Sequence, residues 1–211
     1  TIIFLIFTVF PVLASVVLSL TSFNMVEWPE LVFFKNYVDL FLHDEVFLIA
    51  LKNTLFFAVV TGPVSYLMCF GFAWLLNNFS PKVRAFLTLV FYAPSISGNA
   101  YMIWKLIFSS DSRGYANAVL MNLGLIDEPV LWFATKEYVM PILIVVQLWL
   151  SLGISFLTFI AGFQTVDTSL YEAGAIDGVS NRWQELWYIT LPAMKPQLML
   201  GSVMQITSSF S

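Results

Sequence analysis

The amino-acid sequence predicts an all-α, polytopic transmembrane helical bundle, and three observations carry that prediction. Only 10% of its 211 residues are charged and 59% are apolar, whereas a soluble domain averages about 25% charged residues. A surface so poor in charge would not stay in water, and the mean hydropathy of +0.85 says the same. Charges are also missing from long blocks, residues 1–26, 53–81, 85–104, 138–166 and 196–211. A bilayer core asks for roughly 20 apolar residues rising about 1.5 Å each, so four blocks are long enough to span and the fifth stops with the sequence.

In chain order, the first span is expected over residues 1–20, with Pro11 as a kink, because proline removes one backbone donor. A loop with Glu27, Glu30, Asp39, Asp44 and Glu45 leads to a second span over 47–76. Asn77, Asn78, Ser80 and Pro81 make a turn, followed by Lys82 and Arg84. The third span covers 85–108, and its Pro94-Ser95-Ile96-Ser97-Gly98 run is a poor continuous helix. A polar and aromatic loop, 109–137, precedes the fourth span, 138–163. Residues 164–195 are polar, and a fifth span, 196–211, is truncated. The sequence reads as one transmembrane domain, 1–211, that begins inside its first span and stops inside its fifth.

Charge and motif content exclude several classes. The net charge of −4 argues against nucleic-acid binding, which needs clustered Lys and Arg. Cys69 is the single cysteine and His43 the single histidine, so no paired-cysteine metal site is expected, and His43 reads as a solvated loop residue. No G-x-x-x-x-G-K-[ST] phosphate loop, H-E-x-x-H or G-x-S-x-G occurs, so neither ATP binding of that kind nor hydrolase chemistry is expected here. The chain is expected not to be an enzyme and to hold no cofactor of its own. The spans carry no interior acidic or basic group apart from Lys52 and Lys105 near their expected ends. Proton-coupled secondary transporters keep such groups at membrane depth. A channel or scaffold stays open as an alternative but leaves the ordered segment 164–195 unexplained.

That segment is too polar to cross a bilayer. Ser169 with Glu172 makes a capping-box pattern, predicting a short helix over 170–176 that ends at Asp177-Gly178. Asn181 with Gln184 predicts a second short helix bearing Trp183, Leu186, Trp187 and Ile189, ended by Leu191-Pro192. Trp183 and Trp187 read equally as interfacial anchors, since Trp is enriched at headgroup depth. In the spans, Asn99, Gln147, Tyr101 and Trp104 are uncharged groups able to hydrogen-bond or stack, and are candidates for contact with a neutral, hydroxyl-rich solute. The plainer reading is helix packing.

The run Glu172-Ala173-Gly174-Ala175-Ile176-Asp177-Gly178, followed by Ile189-Thr190-Leu191-Pro192, resembles the EAA loop of ABC-importer permeases. Gly114-Tyr115-Ala116-Asn117, Leu123-Gly124-Leu125, Trp149 with Gly153, and Ala161-Gly162-Phe163-Gln164 resemble landmarks of the maltose-type sugar-permease branch, as do Asn53-Thr54 and Pro94. The resemblance extends over nearly all the chain. It implies a type-I importer permease fold with five of the family's six spans, in a bacterial cytoplasmic (inner) membrane. It also implies that Glu172, Ala173, Gly174, Asp177 and Gly178 dock on a separate ATPase through a coupling helix. By the same resemblance the partners are a second permease subunit, an ATPase dimer that binds the ATP and Mg, an extracytoplasmic solute-binding protein and the lipid bilayer. The implied solute is a carbohydrate, with a non-sugar solute as the alternative. Two departures stand out: Gly174 replaces a usual alanine, and one extra residue lies between Gly178 and Ile189.

Lys82 and Arg84 place the turn at residues 77–84 on the cytoplasmic side, and two spans later segment 164–195 on the same side. In a Cys69→Ser background, cysteines replacing Ser80 and Ser180 are expected to be protected from an impermeant thiol reagent in intact cells. Cysteines replacing Asp44 and Glu128 are expected to react. Labelling of position 180 from outside would overturn the topology.

Overall fold

The computed structural model describes residues 2–210, which are helical with a single isolated β-bridge, Thr21–Leu31, among them. Without water in a bilayer core, backbone donors and acceptors must be met within the chain, and helices do this locally. The chain divides into two compact units, residues 1–55 and 56–211.

In the first unit, α1 (Ile2–Leu18) is an apolar helix containing a wide π-type turn at Leu5–Val9. Pro11 follows directly on that wide turn, and Val9 and Phe10 keep helical dihedrals before it, so the helix runs on through the position where a kink was expected. The loop beyond it is closed by Ser22 N–H donating to Glu30 O at 2.9 Å and Val32 N–H to Leu20 O at 3.0 Å. The Asn36 amide, on α2 (Lys35–Val38), donates to the carbonyls of Ser19 and Thr21 at 2.9 and 2.8 Å. This interval, expected as plain loop, is therefore folded.

The long helix α3 (Glu45–Asn77) runs through the unit boundary with Pro63 inside it. Its 33 residues exceed a bilayer core, and among the described residues it alone is long and apolar enough to cross by itself. The third expected span is two helices, α4 (Pro81–Ile96) and α5 (Ala100–Ile107). Pro94 stays helical, and the break comes at Ser97, whose backbone turns extended (φ −76°, ψ 109°). In the expected loop 109–137, residues Tyr115–Asn122 form α6.

The fourth expected span is also broken. Helices α7 (Lys136–Leu150) and α8 (Ile154–Thr165) meet at a 41° bend. Ser151-Leu152-Gly153 is the cause: the Ser151 hydroxyl donates back to Leu148 O at 2.7 Å, Gly153 N–H donates to Ser151 O at 2.7 Å, and Gly153 leaves helical dihedrals (φ −107°, ψ −132°). Two short helices, α9 (Thr168–Ile176) and α10 (Arg182–Glu185), follow. A π-type turn, Leu186–Thr190, and a short turn, Leu191–Ala193, carry the chain to α11 (Lys195–Ser209). Leu191-Pro192 therefore does not end the second short helix. Pro192 follows directly on the π-type turn, in which Leu191 N–H reaches back to Leu186 O, and the path bends only at Met194 (φ −93°, ψ 10°).

The core of the second unit is built by Cys69, Ala73 and Leu76 of α3, Phe156, Phe159, Ile160 and Phe163 of α8, and Leu186 and Met194. Helices α8 and α11 form the most extensive helix pair. A Cβ on Gly201 would fall 2.5 Å from the Phe159 ring, so the absent side chain sets the approach, as small residues do between membrane helices.

Asn117 organises the loop between α5 and α7. It is fully buried. Its amide nitrogen donates to the carbonyls of Ser109, Asp111 and Val130 at 3.1–3.2 Å. Its oxygen accepts from Val130 N–H at 3.1 Å and Trp132 Nε1–H at 2.9 Å. Asn117→Ala leaves these groups unmet, each worth about 1–3 kcal/mol when buried, and is expected to lower the midpoint of thermal unfolding in detergent. Asn117→Asp should not rescue it, because a carboxylate would face three carbonyl oxygens. A variant melting like the wild type would refute this role.

Candidate functional site

Segment 166–194 is built from two capped helices and a sharp turn. Asp167 starts α9: its carboxylate accepts from Ser169 N–H at 2.9 Å. The cap is thus Asp167, and the expected Ser169–Glu172 capping box is not formed. An Asp two residues before Ser169 is itself a capping signal. The hydrogen bonds from Ser169, the backbone one foremost, hold the Asp167 carboxyl below its usual range. A depressed folded value means the cap's contribution is complete above the ordinary carboxylate pKa and is lost as pH falls through the folded one. At neutral pH the cap is fully engaged.

At the other end, Gly178 N–H donates to Ala175 O at 3.3 Å and Val179 N–H to Gly174 O at 2.9 Å. That paired pattern is a Schellman motif, which needs a left-handed residue after the cap, and Gly178 supplies it with φ +91°. Asn181 caps α10 as expected, its side chain accepting from Gln184 N–H at 2.9 Å. The Gln184 side chain answers by accepting from Ser180 N–H at 2.9 Å.

The turn Leu186–Thr190 that continues α10 folds back onto α9. Gly174 is buried, and a Cβ there would lie 2.5 Å from Ile189 Cδ1. The departure at position 174 therefore has a physical reason: Ile189 occupies the volume an alanine methyl would need. The Tyr171 and Thr190 hydroxyls are 2.9 Å apart. Leu186 and Met194 enter the core, and the Trp183 ring packs on Trp74 of α3 with centroids 5.0 Å apart. Trp183 is thus partly a packing residue, which its sequence position does not reveal.

What remains outside is a mixed acidic and apolar face. Glu172, Ala173, Asp177 and Gly178 are exposed, and Ile176 is 87% exposed. Trp187 and Tyr188 are exposed as well. Of the five expected docking residues, the structure exposes four and buries Gly174 against Ile189.

The four solute candidates are not gathered in the same way. Trp104 stacks on Phe108 (5.8 Å) and meets Trp149 edge-on (5.4 Å). The run continues from Phe108 to Trp132 and on to Tyr138. The Gln147 amide donates to Ser208 O on α11 at 3.2 Å. Both side chains hold helices together, although Trp104 Nε1 is buried without a partner. Asn99 and Tyr101 are exposed at the break before and the start of α5. Among the described residues no group of three or more His, Cys, Asp or Glu is placed to hold a metal.

Comparison with known proteins places this geometry in a family. The chain is 35% identical to a probable ABC transporter permease protein of Bacillus subtilis over 98% of its length and 66% of the relative's. It is 35% identical to the lactose transport system permease protein LacF of Rhizobium radiobacter, over 94% of the chain and 65% of the relative. Among solved structures, a bacterial ABC transporter involved in import of the acidic polysaccharide alginate superposes with a TM-score of 0.79 at 26% identity, covering 97% of this chain and 68% of that one. The chain thus spans about two thirds of the length of these relatives. The model of the binding-protein-dependent transport system inner membrane component family matches residues 1–211, and the chain belongs to that family.

Proposed function

We propose that this chain is the permease subunit of an ATP-driven importer and that α9, with the turn at Gly178, docks on a separate ATPase that binds the ATP and Mg. The observation that carries the reading is α9 packed on the turn Leu186–Thr190, with Leu186 and Met194 fixing this stretch to the core while Glu172, Ile176 and Asp177 face outward. A stiff element anchored in the bundle transmits displacement, and exposed apolar groups beside acidic ones suit a partner's groove. A second permease subunit and an extracytoplasmic solute-binding protein complete the assembly. The alginate transporter was solved with an alginate pentasaccharide-bound periplasmic protein, which supports the latter.

A carbohydrate is the proposed solute. Relatives named for lactose and for arabinooligosaccharides support it, as do spans free of fixed charge at mid-depth. A relative named for osmoprotective compounds keeps a non-sugar solute as the alternative outcome.

Two substitutions test the docking. Gly178→Val forces a β-branched residue to φ +91°, which such residues resist by about 1–3 kcal/mol. Glu172→Lys lies beyond the first turn of α9, where the helix dipole has faded, so its effect on the helix is small. Loss of an interfacial charge contact is worth at least about tenfold. Both variants are expected to insert normally but to lose ATPase in pull-down and binding-protein-stimulated ATP hydrolysis in proteoliposomes. Full retention of both activities would refute the docking role, and stimulation only by a protein loaded with a non-sugar would refute the carbohydrate.

A further inference from the structure

Helices α4 and α8 meet but leave between them a groove of about 430 Å³, lined by Arg84, Thr88 and Tyr92 on one side and Leu157, Ile160 and Gln164 on the other. Four-residue spacing puts Arg84, Thr88 and Tyr92 on one helix face, about 6 Å apart along the axis. The groove therefore begins beside the polar turn at residues 77–84 and runs into the membrane.

Its polar end is incomplete. Arg84 is the only lining residue charged at neutral pH, and no carboxylate pairs with it among the described residues. Its Nη2 reaches Phe79 O at 3.3 Å and Asn77 O at 3.5 Å, both long for such bonds. Its Nε and the Thr88 hydroxyl are buried with no hydrogen-bond partner. Leaving buried donors unmet is unfavourable, so the chemistry lacking here is an anionic acceptor able to take a guanidinium N–H and a hydroxyl together. The deeper wall is apolar, with Leu89, Leu157 and Ile160. A free anion would leave that wall unused, and a neutral solute would leave the cation unmatched.

We propose that this groove binds an anionic phospholipid, its phosphate on Arg84 and Thr88 and one acyl chain along Leu157 and Ile160. Basic pockets between membrane helices take such headgroups. The site requires only that the chain lie in a membrane and is independent of ATPase docking, so either reading fails without the other.

The test is native mass spectrometry of the full-length protein in its assembled complex. The probes are phosphatidylglycerol, phosphatidylcholine with the same acyl chains, and inorganic phosphate as competitor. Wild type should retain phosphatidylglycerol in preference to phosphatidylcholine. Arg84→Gln should lower that retention about tenfold and Thr88→Val by a smaller factor. Ala85→Phe, which keeps Arg84 but fills the groove, should abolish it, and Lys195→Gln, outside the groove, should change nothing. Should Arg84→Gln fail to assemble, Ala85→Phe and Thr88→Val decide the matter. Equal retention of both lipids, or unchanged retention in the groove variants, overturns the proposal. Displacement of phosphatidylglycerol by millimolar phosphate assigns the groove to a free anion and overturns the lipid.

Discussion

A Cβ on residue 201 would sit 2.5 Å from the Phe159 ring, so α8 and α11 approach as they do only because that position has no side chain. Phe159 is fully buried and receives Tyr66 and Phe70 edge-on at 5.3 and 5.7 Å, which ties the pair to α3. The segment 166–194 leaves the bundle at the end of α8 and re-enters it at the start of α11. Both of its attachment points are therefore set by one helix–helix contact. Met194, fully buried at the re-entry point, is the second fastening.

Broken helices run against the bilayer constraint, and the structure shows how each break is met. At 151–153 the freed groups find partners nearby: Ser151 O accepts from Gly153 N–H and from the Cys69 thiol at 3.2 Å. At 97–99 the chain makes tight turns, with Ala100 N–H donating to Ser97 O and Met102 N–H to Asn99 O. Irregular backbone at such depth is tolerated where protein surrounds it, and the buried residues flanking the first break, Leu152, Ser155 and Phe156, supply that cover.

The helical class and the approximate intervals of the apolar segments were legible in the sequence because they follow from charge and hydropathy alone. So was the second cap, where Asn181 and Gln184 bond as their spacing predicts. The breaks were less so. The run from Pro94 to Gly98 marked the first break, where the helix ends at Ile96, whereas Ser151-Leu152-Gly153 sits inside a block with no charge to mark it. The cap at Asp167 was masked by a competing Ser169–Glu172 pattern. Trp104 and Gln147 carry chemistry that suits a solute, but which way a side chain points depends on neighbours remote in sequence. Trp149 and Ser208 claim them here, and no local pattern encodes that.

The hydrogen bonds around Asn117 join residues at most fifteen positions apart. Contacts that close short stretches of chain form early, since little loop entropy is lost in making them. The knot between α5 and α7 therefore has what it needs to fold while later helices are still being synthesised. Once closed, it fixes the spacing between the helix that precedes it and the one that follows. What joins α5 to α7 is thus local in sequence and rests on a single buried amide.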